Sequence, residues 1–184
     1  MKRILVAGIG NIFFGDDAFG CEVARELSAR VLAEGVRVRD FGIRSYDLAY
    51  ALMEENDAAI LIDASPRGCP AGTVYLIEPD LNKLDDGGEE VVNAHSMNPV
   101  RVLQMVRSLG GAPRQLYVVG CEPEVLESNQ IGLSETARAA IPSAIAMIEE
   151  LIADLLGDRT ISGSRTTNES SAGCVAIPIQ EETK

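Results

Sequence analysis

Basic charge is scarce in this chain: 16 Lys and Arg stand against 28 Asp and Glu, a net charge of -12. No basic stripe interrupts that balance, so a surface for tracking phosphates is missing and nucleic acid is excluded as a partner. Long apolar runs are missing as well. Nowhere do about 18 apolar residues follow one another, and the stretch from Ile4 to Ala7 behind Met-Lys-Arg is too short for the core of a signal peptide. The chain is therefore expected to be soluble and cytoplasmic, with no membrane partner. Close cysteine pairs are absent: Cys21, Cys69, Cys121 and Cys174 lie about 50 residues apart, which suggests neither a CxxC metal knuckle nor a small disulfide framework. Four isolated, reduced thiols are expected. Histidine occurs once, at His95, and no Ser-His-Asp or Cys-His arrangement offers a covalent nucleophile.

What is present is enough apolar residue, 46% of 184, for one globular domain with a sizeable core. Apolar β-type runs occur at residues 3–7, 36–41, 58–63, 73–77 and 115–119. Between them Val23, Leu27 and Val31 recur at helical spacing, Leu48 and Leu52 follow Ser45, and Val100, Leu103 and Val106 follow the cap-like pair Asn98-Pro99. A last helix is expected after Ser134, with Ala137, Ile141, Ile145, Ile148, Ile152 and Leu155 on one face and a bend at Pro142. Strands alternating with helices, several of them continuously apolar, predict an α/β fold: a three-layer α/β/α sandwich with a mostly parallel, about five-stranded twisted sheet. The domain should span residues 1–156. Residues 157–184, rich in Ser, Thr and Gly, read as a disordered tail, and the long connection from Pro79 to Met97 as a lid or a solvated loop.

In such a sheet ligands bind beyond the carboxyl ends of the strands. The first strand runs into GIGNIFFGDDAFG, residues 8–20, whose Gly8 and Gly10 permit a tight turn. The dinucleotide-binding fingerprint is incomplete there, because Phe13 replaces its third glycine and Asp16 and Asp17 stand where a helix should begin. Two carboxylates would repel a pyrophosphate, so the loop suits a cation better. The ordinary alternative is that Asp16 caps the helix and Asp17 sits in its first turn. The third strand delivers Asp63 to the same crevice if it neighbours the first, and His95 precedes a helix that starts nearby. One imidazole and two carboxylates form a mixed N/O set that suits nickel or zinc with positions left open. A lone histidine, taken by itself, is more often structural or merely exposed.

Taken in order, GIGNIFFGDDAFG, Asp63 in ILIDAS, His95 in NAHSMNP, and the later GCEPE and IGLSETA resemble the nickel-iron hydrogenase maturation protease family over about residues 2–156. The resemblance implies an endopeptidase that removes a short C-terminal peptide from the precursor of the hydrogenase large subunit after nickel insertion. It also implies that Asp17, Asp63 and His95 engage nickel supplied by that substrate and serve the cleavage, with no permanently bound cofactor. Asp16 is left as support for Asp17 or as a general base. Where many members carry a DGGT-type stretch, this chain has Asp40-Phe41-Gly42-Ile43-Arg44-Ser45, a departure that bears on which large subunit is accepted. Two other readings stand beside this one, a non-catalytic nickel chaperone using the same three ligands and a nucleotide-binding α/β module.

Overall fold

A computed structural model of the chain describes residues 1–79, 99–111, 113–126 and 131–157. In chain order it contains β1 (Ile4–Ile9), a short 3-10 turn (Gly15–Ala18), α1 (Phe19–Ser28), β2 (Val36–Gly42), α2 (Ser45–Met53), β3 (Ala58–Ala64), β4 (Val74–Ile77), α3 (Pro99–Ser108), β5 (Leu116–Cys121) and α4 (Glu135–Leu156). The strands form one sheet in the order β2-β1-β3-β5-β4. All pairs are parallel except β4 with β5. An antiparallel strand is tolerated at the edge of such a sheet.

The sheet's two faces explain why β1 and β3 read as unbroken apolar runs. Ile4, Val6, Ile60 and Ile62 point to one side, where Phe19, Val23 and Leu27 of α1 and the stripe Ile141, Ile145 and Ile148 of α4 cover them. Leu5, Ala7, Ile9, Ala59 and Leu61 point to the other, against Leu48 and Leu52 of α2 and Val102, Leu103 and Val106 of α3. The result is the expected α/β/α sandwich. Each fully buried Leu, Ile or Phe is worth about 1.5–3 kcal/mol relative to exposure, so both layers are held chiefly by apolar contact.

The α4 helix runs through Pro142 and starts on Ser134, whose hydroxyl accepts the Ala137 N–H at 3.1 Å. Two expectations need correction. Val31, at helical spacing from Leu27, lies past the end of α1 and is fully exposed. The helix closes at Ser28, whose hydroxyl bonds back to the Arg25 carbonyl at 2.7 Å, and Ala29 and Arg30 then fold their N–H groups onto Glu26 and Leu27. Cys21 and Cys121 are free and buried as expected, but Cys69 is disulfide-bonded, since separation along the chain does not measure separation in space. The loop at 80–98, with His95, and the tail beyond 157 lie outside the described residues. Among the described residues no helix is long and apolar enough to cross a membrane.

Candidate active site

The loop after β1 is shaped by close backbone approach. Gly10 has φ 132° and donates its N–H to the Gly42 carbonyl at 3.1 Å, tying the ends of β1 and β2 together. A Cβ on Gly10 would stand 1.7 Å from the Asp17 carbonyl oxygen. Further on, Gly20 lets α1 descend onto the sheet: a Cβ there would meet the carbonyls of Ile62 at 2.1 Å and Ile9 at 2.3 Å. These two glycines draw the start of α1 down over the ends of β1 and β3. Asn11 completes the loop by accepting the Phe13 N–H on its side chain at 3.0 Å while its own N–H reaches an Asp17 carboxylate oxygen at 2.6 Å.

β1 and β3 are neighbours, with Gly8 opposite Ile62, so Asp63 emerges one residue beyond their last paired position. Asp17 and Asp63 are both buried. Burial lifts the Asp17 carboxyl above its ordinary range against the opposing pull of the Asn11 N–H. Asp63 is lifted well above its range, first by burial and then by the negative charge of Asp17, with the Ala64 N–H opposing. Two desolvated carboxylates that repel one another are costly when both are ionised, and a cation between them would relieve both penalties at once. The structure therefore joins Asp17 to Asp63. The third expected ligand, His95, lies outside the described residues, and among the described residues no group of three or more His, Cys, Asp or Glu is placed to hold a metal ion.

Asp16 behaves differently from its neighbour. It is fully buried, and its carboxylate accepts four hydrogen bonds: from the N–H groups of Glu124 (2.8 Å), Val125 (3.0 Å) and Ser134 (2.7 Å) and from the Ser134 hydroxyl (2.9 Å). It caps neither the 3-10 turn nor α1. Instead it reaches across to the start of α4 and the connection that follows β5, while its own N–H donates to the Val125 carbonyl at 2.8 Å. This arrangement fastens the loop bearing Asp17 to the far side of the crevice.

Glu122 received no role from the sequence. Its side chain is buried and its two oxygens accept the N–H groups of Arg67 (2.7 Å) and Gly68 (3.0 Å), holding the segment that leaves Asp63. Tyr75 secures the same segment by donating its hydroxyl to the Ser65 carbonyl, with the Arg67 guanidinium 5.4 Å from its ring centre. A carboxylate directly after an apolar strand, in GCEPE, was the available signal for Glu122.

Fold and site together define an α/β sandwich protein with a buried carboxylate pair in the crevice beyond its parallel strands. A family model described as hydrogenase maturation protease, HycI, matches residues 21–151. The hydrogenase 2 maturation protease of Escherichia coli K12 is 32% identical over 149 residues, 79% of this chain and 88% of its own length. The hydrogenase expression/formation protein HupD of Rhizobium leguminosarum is 32% identical over 144 residues, 78% of this chain and 70% of its own. Among solved structures, the hydrogenase maturating endopeptidase HybD of E. coli aligns with a TM-score of 0.71 at 28% identity, covering 84% of this chain and 94% of that one. The chain belongs to the hydrogenase maturation protease family and is a hydrolase of the endopeptidase class.

Proposed function

We propose that this endopeptidase works in the cytoplasm on the precursor of a nickel-iron hydrogenase large subunit, removing a short C-terminal peptide once nickel has been inserted. The nickel arrives with the substrate and serves as the recognition element, so the enzyme carries no cofactor of its own. Asp17, Asp63 and His95 are its contacts. The observation that carries this reading is the buried pair of Asp17 and Asp63, whose raised carboxyl groups gain most from a cation brought between them. Carboxylate and imidazole donors match nickel, and three protein ligands leave positions for the substrate.

Docking the metal places the peptide beyond it against the crevice, and a carbonyl held beside a cation is polarised towards attack by water. Water needs a base. Three hydrogen bonds crowd one Asp16 oxygen and a fourth engages the other, whereas the Asp17 carboxylate accepts one, from the Asn11 N–H. Asp17 is thus the better placed of the two to accept the water's proton, and Asp16 positions it.

Substitution tests the site directly. Asp17→Asn, Asp63→Asn and His95→Ala should each abolish shortening of the precursor, read by intact mass, while circular dichroism stays native. Full processing by any one variant removes that residue from the site. Stable nickel binding by the purified protein with no shortening of any precursor would point to a chaperone instead.

A further inference from the structure

Asp63 has the charge of Asp17 on one flank and a residue without a side chain on the other. Strand pairing places Asp63 of β3, Gly120 of β5 and Tyr75 of β4 side by side across three strands. Paired residues share a face, and alternation from Ala59 and Leu61 puts this row on the face that α2 and α3 cover. Asp17 approaches from the opposite side, since its loop follows β1 and β1 is the other neighbour of β3.

Gly120 leaves a gap beside Asp63, and Tyr75 fills it. A Cβ on Gly120 would stand 2.1 Å from the Tyr75 ring and 2.6 Å from its hydroxyl oxygen, so the ring lies directly across the glycine. From there the hydroxyl donates to the Ser65 carbonyl, while the Ser65 N–H donates to the Cys121 carbonyl at 3.0 Å. Both backbone groups of Ser65, two residues past Asp63, are thereby fixed. The Tyr75 phenol is pushed up first by burial, with the Ser65 bond and Arg67 opposing and the charges of Glu122 and Asp63 adding to it, which sets the hydroxyl within electrostatic reach of Asp63.

The filled gap matters because the two carboxylates repel. The charge of Asp17 drives Asp63 towards β5, and a vacant place over Gly120 would let the carboxylate retreat into it. Resting on the reading of Asp63 as a contact for the substrate's cation, we propose that Tyr75 is a positioning residue. Its ring, seated on Gly120, and its hydroxyl, tied to Ser65, keep Asp63 facing Asp17 so that the pair receives the cation. Tyr75 acts through Asp63 and needs no contact with the cation.

Steady-state kinetics on a nickel-loaded precursor provide the test, with circular dichroism checking the fold. Tyr75→Ala should raise KM by about 10- to 100-fold, the scale on which groups supporting a metal ligand act. Tyr75→Phe keeps the ring over Gly120 and should fall between this variant and wild type. Gly120→Ala keeps the hydroxyl but displaces the ring, and should raise KM as Tyr75→Ala does. A merely structural role would lower kcat through the fraction of folded enzyme and leave KM unchanged. Asp63→Asn is run beside these variants. Loss of processing by Asp63→Asn, together with a wild-type KM in Tyr75→Ala or Tyr75→Phe and in Gly120→Ala, would overturn the positioning role alone. Full processing by Asp63→Asn would remove Asp63 as a contact and the role of Tyr75 with it. Should the wild-type protein bind the loaded precursor without cutting it, the same 10- to 100-fold loss is expected in Kd by titration calorimetry, and an unchanged Kd would overturn the proposal.

Discussion

Replacing Asp16 with Ala removes at one stroke the acceptor for three backbone N–H groups and a hydroxyl. The donors are not equivalent. The Ser134 N–H is buried and has no route to water, so stranding it costs about 1–3 kcal/mol. The Glu124 and Val125 N–H groups are only partly buried and can turn to solvent, which limits each loss to about 0.5–1.5 kcal/mol. The sum is roughly 2–6 kcal/mol, a large part of the about 5–15 kcal/mol that holds a domain together. For a chain of this size the melting temperature should fall by roughly 4–24 °C. Asp16→Asn should cost less. Its remaining oxygen can keep the three bonds now made to one carboxylate oxygen, while its amide would face the Ser134 N–H, donor against donor. Urea unfolding of both variants, followed by circular dichroism, gives the two numbers. An Asp16→Ala protein within about 0.5 kcal/mol of wild type would refute this account of the loop's anchorage.

Asp63→Asn should raise the melting temperature of the nickel-free protein at neutral pH. The native carboxyl of Asp63 sits well above the ordinary 3.8, so above that value the unfolded chain loses the proton first and stability falls until the native value is passed. The advantage of Asn should therefore vanish near pH 4, and a difference independent of pH would contradict the burial argument. Gly10→Ala should disable processing and destabilise the fold, since its Cβ would lie 1.7 Å from the Asp17 carbonyl at a φ of 132°; normal activity in this variant would mean that the loop tolerates displacement. Glu122→Gln should cost about 1.5–3 kcal/mol through loss of charge-assisted bonds. Faster amide exchange at Arg67 and Gly68 is its specific sign, and unchanged exchange there would disprove the clamp.

The fold was legible in the sequence because burial on both sheet faces leaves a simple trace. β1 and β3 lie under helices on either side and so read as unbroken apolar runs, while α4 shows its buried stripe at helical spacing. Asp63 was legible for a related reason: a carboxylate at the end of such a run has to emerge where the strands stop. The part played by Asp16 was legible only in outline. A local reading offered a cap, a support for Asp17 or a base, while the donors its carboxylate accepts from lie 108 to 118 residues away. Glu122 escaped in the same way, with its donors 54 and 55 residues distant. Val31 shows the reverse error, a residue at helical spacing that the Ser28 turn leaves outside the helix. The loops after β1 and β2 are brought together by the pairing of the two strands, Ile9 opposite Gly42, and by the bond from Gly10 to Gly42, contacts that no periodicity records.

The central claim, that Asp17 and Asp63 meet a cation carried by the substrate, is tested most directly by comparing nickel-loaded and nickel-free large-subunit precursors. Each is incubated with the enzyme and its intact mass followed over time. The account predicts that the loaded precursor loses its C-terminal peptide and the nickel-free one stays whole. Cleavage of both at equal rates would contradict it.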